Sequence, residues 1–204
     1  MIPKTIHYIW LGKKAKPIAI QKCISTWYSK LEGYRIQCWN EDNLDLSHPF
    51  LASCIDQKLY AFAADFIRFQ VLLKHGGIYL DTDMEIIGTF EPLLNLSSFI
   101  GLEDERMMRP SAAAIGCIPN AKFPAMMVEY YDSLTQNNSI IVCDAILSVI
   151  KASPIFDLTI LPQKLFYPYN PYSSSAYQKS LPLMASDITP DTVAVHHWQK
   201  SWRT

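Results

Sequence analysis

The chain has 204 residues, half of them hydrophobic and 18% charged, which is enough to bury a core without disulfides or metal staples. Lys and Arg number 18 against 19 Asp and Glu, a net charge of −1 that excludes the strongly basic balance of a nucleic-acid binder. The five cysteines show no Cys-x-x-Cys spacing, so they read as reduced core thiols rather than as a zinc or redox site. No basic region leads into an apolar run near Met1, and no stretch approaches the ~20 apolar residues of a membrane span. The expectation is a cytoplasmic protein, with a peripheral contact at the cytoplasmic face of the inner membrane left open.

In chain order, Lys4 to Trp10 reads as a short buried strand of β-branched and aromatic residues, ended by Leu11-Gly12. Pro17 stands where a helix begins, and Ile18 to Lys30 carries apolar residues near helical spacing. Tyr34 to Trp39 reads as a second strand, followed by a polar loop from Asn40 to Asp45. Strand, helix, strand in this compass is a βαβ unit with parallel strands. Asp56 to His75 is the clearest helix, with Phe62, Phe66, Phe69 and Leu73 along one face. Gly76-Gly77 stops it, and Ile78 to Leu80 reads as a central strand running into Asp81-Thr82-Asp83. Beyond it come strands at Phe99–Leu102 and Ala112–Ile118, then helices at Pro124–Gln136 and Val142–Lys151. The last third is interrupted by Pro162, Pro168, Pro171, Pro182 and Pro190 and reads as irregular chain. A final short strand at Thr192–Val195 leads into His196-His197-Trp198.

The chemistry concentrates between Ala63 and Glu85. In extended chain side chains alternate, so Asp81 and Asp83 point the same way at the end of an apolar strand, where open α/β sheets bind ligands. Two carboxylates there make a hard-oxygen site for Mg²⁺ or Mn²⁺, an ion able to bridge a diphosphate. A solvated acidic turn is the alternative for an Asp-x-Asp taken alone. Asp65 and Arg68, three apart on the preceding helix, share a face that the tight Gly-Gly turn brings near that site. An exposed ion pair is their alternative.

Taken together, Ala-Ala-Asp-x-x-Arg (63–68) and Gly-Gly-Ile-Tyr-Leu-Asp-x-Asp (76–83) closely resemble the sugar-binding region of glycosyltransferase family 32. Ile6 to Gly12 is similar to that family's first strand, and the stretch from Val195 through Trp202 to its His-His-Trp-x-x-Ser-Trp element. The sequence departs from the pattern at Ala64, where serine is common. The resemblance implies an α/β fold of GT-A type, a Rossmann-like nucleotide-sugar-binding domain with a mostly parallel central sheet. One such domain would fill 1–204, with a donor-binding core at 1–118. Acceptor-side helices, the Pro-rich segment and a metal and diphosphate element would occupy 119–204.

Residue by residue, the resemblance implies that Trp10 stacks on the donor base, and that Asp65 and Arg68 hold the sugar and the diphosphate side. Asp81 would contact hydroxyls and reach the metal through water, and Asp83 would ligate it directly. His196 would complete the metal shell, with Ser201 and Trp202 closing over the β-phosphate. The implied cofactor is Mn²⁺ or Mg²⁺, the donor a UDP-sugar and the acceptor a saccharide that can be lipid-linked. The implied activity is that of a metal-dependent, retaining hexosyltransferase in bacterial surface polysaccharide synthesis, O-antigen or capsule. His196 and His197 alternate sides of a strand, and His196 is the expected metal ligand. Asp144 is a further acid for the sugar, while Trp39, His7, His48 and His75 read as structural. Two rival classes are an Asp-nucleophile phosphatase, with Asp187 and Asp191 downstream, and a non-catalytic sugar-nucleotide binding module. The phosphatase reading sits badly with Glu85 four residues after Asp81, where threonine or valine is usual.

Overall fold

A computed structural model describes residues 1–134, 141–173 and 182–199. Its centre is a six-stranded sheet ordered β2-β1-β3-β6-β5-β7. The strands are β1 (Thr5–Ile9), β2 (Arg35–Trp39), β3 (Gly77–Leu80), β5 (Ser98–Asp104), β6 (Arg109–Cys117) and β7 (Leu158–Leu161). β2, β1 and β3 pair in parallel, β6 runs antiparallel to both β3 and β5, and β7 is parallel to β5. Only β6 is reversed, so the sheet is mostly parallel and the C-terminal ends of β1, β3 and β5 share one edge.

Helices cover both faces, because strands in a parallel sheet are apolar on both sides. On one face lie α2 (Pro49–Asp56), α3 (Tyr60–His75), α4 (Lys122–Asp132) and α5 (Val142–Ala152), packed through Phe66, Phe69, Phe123, Tyr131 and Ile146 onto Tyr79, Ile100 and Ile115. On the other, α1 (Ile18–Lys30) buries Ile20, Ile24 and Trp27 against Ile6, Ile78 and Leu80. Phe90, Phe99 and Phe166 extend that second core. A separate two-stranded sheet joins β4 (Met84–Ile86) to β8 (Ala194–His196), antiparallel. It is held to α1 by Trp27, whose Nε1 donates to the Met84 carbonyl at 2.7 Å, and by Thr26, whose hydroxyl accepts from the Ile86 amide.

Several boundaries differ from the sequence expectation. The helix expected over Asp56–His75 breaks at Lys58, whose φ of +58° is left-handed, and α2 precedes the break with Pro49 in its first turn. The last third is not wholly irregular, since it contributes β7 at the sheet edge. The final strand begins at Ala194 rather than Thr192, because Thr192 is spent on a turn, its hydroxyl accepting from the Thr189 amide and donating to the Lys164 carbonyl. Of the phenylalanine face, Phe66 and Phe69 are fully buried, while Phe62 is only partly so.

The Gly76-Gly77 turn sets the approach of α3 to β3. Both residues have positive φ, and a Cβ on Gly76 would come within 2.6 Å of Pro119. The Gly76 carbonyl faces the buried His7, whose Nε2 lies 3.0 Å away, while Trp39 Nε1 donates to His7 Nδ1 at 3.1 Å. That donor fixes His7 as the neutral tautomer with its proton on Nε2. Burial, against the pull of the Gly76 carbonyl, pushes its pKa down to about 4. No helix among the described residues is long and apolar enough to cross a membrane.

Candidate active site

The end of β3 carries the polar centre. The Asp81 amide donates to the Ala113 carbonyl of β6, so the strand is still paired as it delivers the first aspartate. Tyr79, two residues earlier and therefore on the same side, donates its hydroxyl to Asp81 Oδ1 at 2.8 Å. Arg68 reaches over the Tyr79 ring, its Cζ 4.6 Å from the centroid. Its guanidinium is saturated: Nε donates to the Ala64 carbonyl, Nη1 to the Ala112 carbonyl at 2.7 Å, and Nη2 to Asp65. Nη1 also lies 3.3 Å from Asp81 Oδ1.

Arg68 is 4% exposed, so this is a buried constellation and not the solvated i,i+3 pair that spacing alone allows. Burial works against its charge, yet Tyr79, Asp81 and Asp65 together hold the guanidinium well above its ordinary pKa. Burial pushes Asp65 up to about 7, with Arg68 pulling it down and the Asp81 charge pushing it further up.

Asp83 faces the small sheet. Its backbone carbonyl accepts from the His197 amide, and its carboxylate accepts from the Gln199 amide at 2.8 Å. His196 Nε2 lies 3.2 Å from Asp83 Oδ1, while His197 Nε2 lies 2.7 Å from Glu85 on the other side of the β4–β8 ribbon. Burial opposes charging of His196, but Asp83 and, more weakly, Asp81 and Glu103 raise its pKa overall. Burial likewise works against ionised Asp83, and His196 with the Gln199 amide outweighs it and lowers that pKa. Tyr167 packs edge-on against the His196 ring, and Trp198 lies 4.1 Å from it, centroid to centroid.

One ligand atom each from Asp81, Asp83 and His196 falls within 4.8 Å of the others. Two carboxylate oxygens and an imidazole nitrogen suit Mn²⁺ or Mg²⁺ with positions left for water and phosphate. Among the described residues His196 Nδ1 is buried without a hydrogen-bond partner, an orphan polar atom on the ring whose Nε2 faces Asp83.

Trp10 stands at the end of β1, partly buried, its Nε1 donating to the Lys14 carbonyl. Trp39 is half-buried between His7 and His75. Asp144 is not in the acidic cluster and pairs with Arg109 at 2.7 Å. Ser201 and Trp202 lie outside the described residues. Asp187 and Asp191, the downstream acids of the phosphatase alternative, are engaged elsewhere: Asp191 pairs with Lys164, and Asp187 accepts from the Met184 amide. A groove of about 410 Å³ on a different face of α3, lined by Trp39, Leu44, His48, Ile67, Val71 and Lys74, shares no residue with this centre. Sequence reasoning passed over Tyr79 and Tyr167. The period of two pointed to Tyr79, whereas nothing local marks Tyr167.

A mostly parallel open sheet that gathers an Asp-x-Asp, a buried Asp–Arg pair and a histidine at one edge has the plan of a GT-A glycosyltransferase. Solved structures agree on the fold. The PaToxG glycosyltransferase superposes with a TM-score of 0.58 at 19% identity, over 74% of this chain and 68% of that one. A glycosyltransferase involved in glycosylation of the major capsid of PBCV-1 gives 0.51 at 11% identity, over 94% and 92%. Residues 17–100 match the family model described as the glycosyltransferase sugar-binding region containing the DXD motif. An uncharacterized glycosyltransferase of Acanthamoeba polyphaga mimivirus is 27% identical across 92% of this chain and 80% of its own length. Inositol phosphoceramide mannosyltransferase 3 of Schizosaccharomyces pombe is 30% identical over 48% of this chain and 29% of its own.

Proposed function

We propose that this glycosyltransferase is metal-dependent and retaining, and moves a hexose from a UDP-sugar to a saccharide acceptor. The observation that carries the reading is the convergence of Asp81, Asp83 and His196 beside the buried Asp65–Arg68 pair. A divalent ion held by Asp83 and His196, with Asp81 reaching it through water, would supply positive charge to the leaving diphosphate. Arg68 adds a fixed positive charge on the same side, prepositioned by its backbone and carboxylate partners. Asp65 and Asp81 accept hydrogen bonds from sugar or ribose hydroxyls. Trp10 offers an indole face for the base, and its Nε1 is already satisfied by Lys14. Ser201 and Trp202 would close over the β-phosphate.

On this reading 1–118 is the donor-binding core and 119–204 the acceptor side. The acceptor is a saccharide that can be lipid-linked, which would be met at the cytoplasmic membrane face during surface polysaccharide synthesis. The name of the yeast relative gives a lipid acceptor for that protein. The test is UDP-sugar hydrolysis without acceptor, with Mn²⁺ and with EDTA, followed by lipid-linked saccharides as acceptors. Slow hydrolysis that requires the metal is expected. Failure to bind UDP with Mn²⁺, or equal turnover in EDTA, overturns the reading.

A further inference from the structure

Glu103 stands at the end of β5, on the same sheet edge as Asp81 at the end of β3, with β6 between them. Its side chain is 14% exposed and its carboxylate accepts from Arg109 Nε at 2.9 Å. Arg109 opens β6 and its other arm meets Asp144 on α5, so the guanidinium is clamped between two carboxylates. Further along β6, the Ala114 amide donates to the Tyr167 hydroxyl at 3.1 Å. β6 thus ties Arg109, the partner of Glu103, to Tyr167, whose ring packs on His196.

Two strand spacings separate β5 from β3, about 10 Å. That span takes one sugar ring with a hydrogen bond at either side. The Asp65–Arg68–Asp81 group bounds it on one flank, and no residue of that group reaches the other. Glu103, partly buried at the end of β5, stands on that other side of the edge. Arg109 holds one carboxylate oxygen in place, and the side chain keeps 14% of its surface exposed.

Resting on the glycosyltransferase reading, we propose that Glu103 is a donor-specificity residue, a carboxylate that accepts hydrogen bonds from hydroxyls of the transferred sugar on the side remote from Asp65 and Arg68. Arg109 is its positioning residue. The ligand class is a neutral sugar with free hydroxyls on that edge, so UDP alone does not touch Glu103 while a UDP-sugar does.

The experiment compares binding of UDP and of UDP-glucose, UDP-galactose and UDP-N-acetylglucosamine, each with Mn²⁺, in the full chain and in Glu103→Gln. Affinity for the preferred UDP-sugar should fall about ten- to a hundredfold, the loss expected of one hydrogen bond to a charged group. Affinity for UDP should stay within about twofold, a margin too small to count as one such bond. Glu103→Asp keeps the charge and draws the carboxylate back, so it should fold, bind UDP normally and reorder the preference among the three sugars. Unchanged UDP-sugar affinity in both variants, or an equal loss of UDP affinity, overturns the proposal and assigns Glu103 to structure. If the unsubstituted protein binds no UDP with Mn²⁺, it is the glycosyltransferase reading that falls.

Discussion

Arg68 and His196 flank the same pair of aspartates, and both are buried, yet they are held in different ways. Arg68 projects from a sixteen-residue helix, every arm of its guanidinium is bonded, and two of its acceptors are backbone carbonyls. His196 closes a three-residue strand, touches Asp83 through one nitrogen and leaves the other without a partner among the described residues. On the proposed reading, the sugar side of the site is therefore in place before any ligand arrives. The proposed metal side rests on a two-stranded ribbon, a form that is marginal without further packing. Preorganised charge is what stabilises a developing diphosphate, whereas a coordination shell must admit and release its ion.

The sharpest way to break the contrast is Asp83→Asn. It removes a carboxylate from the proposed shell and weakens the acceptor of the Gln199 amide, so transfer should drop about a thousandfold or more, the scale of losing a charge at the reacting centre. Turnover within tenfold of the unsubstituted protein would take Asp83 out of the chemistry. Arg68→Ala attacks the rigid side and leaves Asp65 buried and unpaired, which costs about 3–5 kcal/mol of folding free energy by chemical denaturation. Arg68→Ala as stable as the parent would mean that the saturated network contributes nothing.

A third test concerns His7, at the turn that aims β3. Its folded pKa of about 4 lies below the ordinary 6.5, so the stability it contributes is present above pH 6.5 and is lost as pH falls toward 4. The full loss is about 3 kcal/mol. His7→Gln, which retains a donor for the Gly76 carbonyl and an acceptor for Trp39, should flatten the acid limb of a plot of stability against pH. An identical limb in both proteins would refute the assignment. Smallest, Trp10→Ala should weaken UDP binding by about 1–3 kcal/mol at nearly unchanged melting temperature. Trp39→Ala should do the reverse, because Trp39 fills the space between His7 and His75.

The sequence was most informative where a residue's role is set by its near neighbours. Pro17 and the apolar spacing after it mark α1 at its observed ends, and the alternation places Tyr79 and Asp81 together at a strand end, whereas Asp83 is delivered by the turn that the Met84 amide closes onto the Asp81 carbonyl. It was least informative where the partner comes from far along the chain. β4 and β7 have three and four residues, too few for a period to declare itself, and exist because β8 and β5 pair with them. The break at Lys58 follows from one left-handed residue that no composition rule flags. Glu103 carries no motif at all. Its meaning depends on a hairpin that returns Arg109 and on an edge shared with Asp81, and both are tertiary facts.

The β4–β8 ribbon has a consequence for how the protein could be followed as it folds. Asp83 precedes β4 and His196 ends β8, with two helices and three strands of the main sheet between them in sequence. Neither stretch alone offers the three-ligand set, so high-affinity capture of an ion would register only when the intervening chain has found its place. A coloured or paramagnetic divalent probe would then act as a coincidence detector for the native topology, silent in any species where the ribbon has not zipped, however well formed the sheet beneath it.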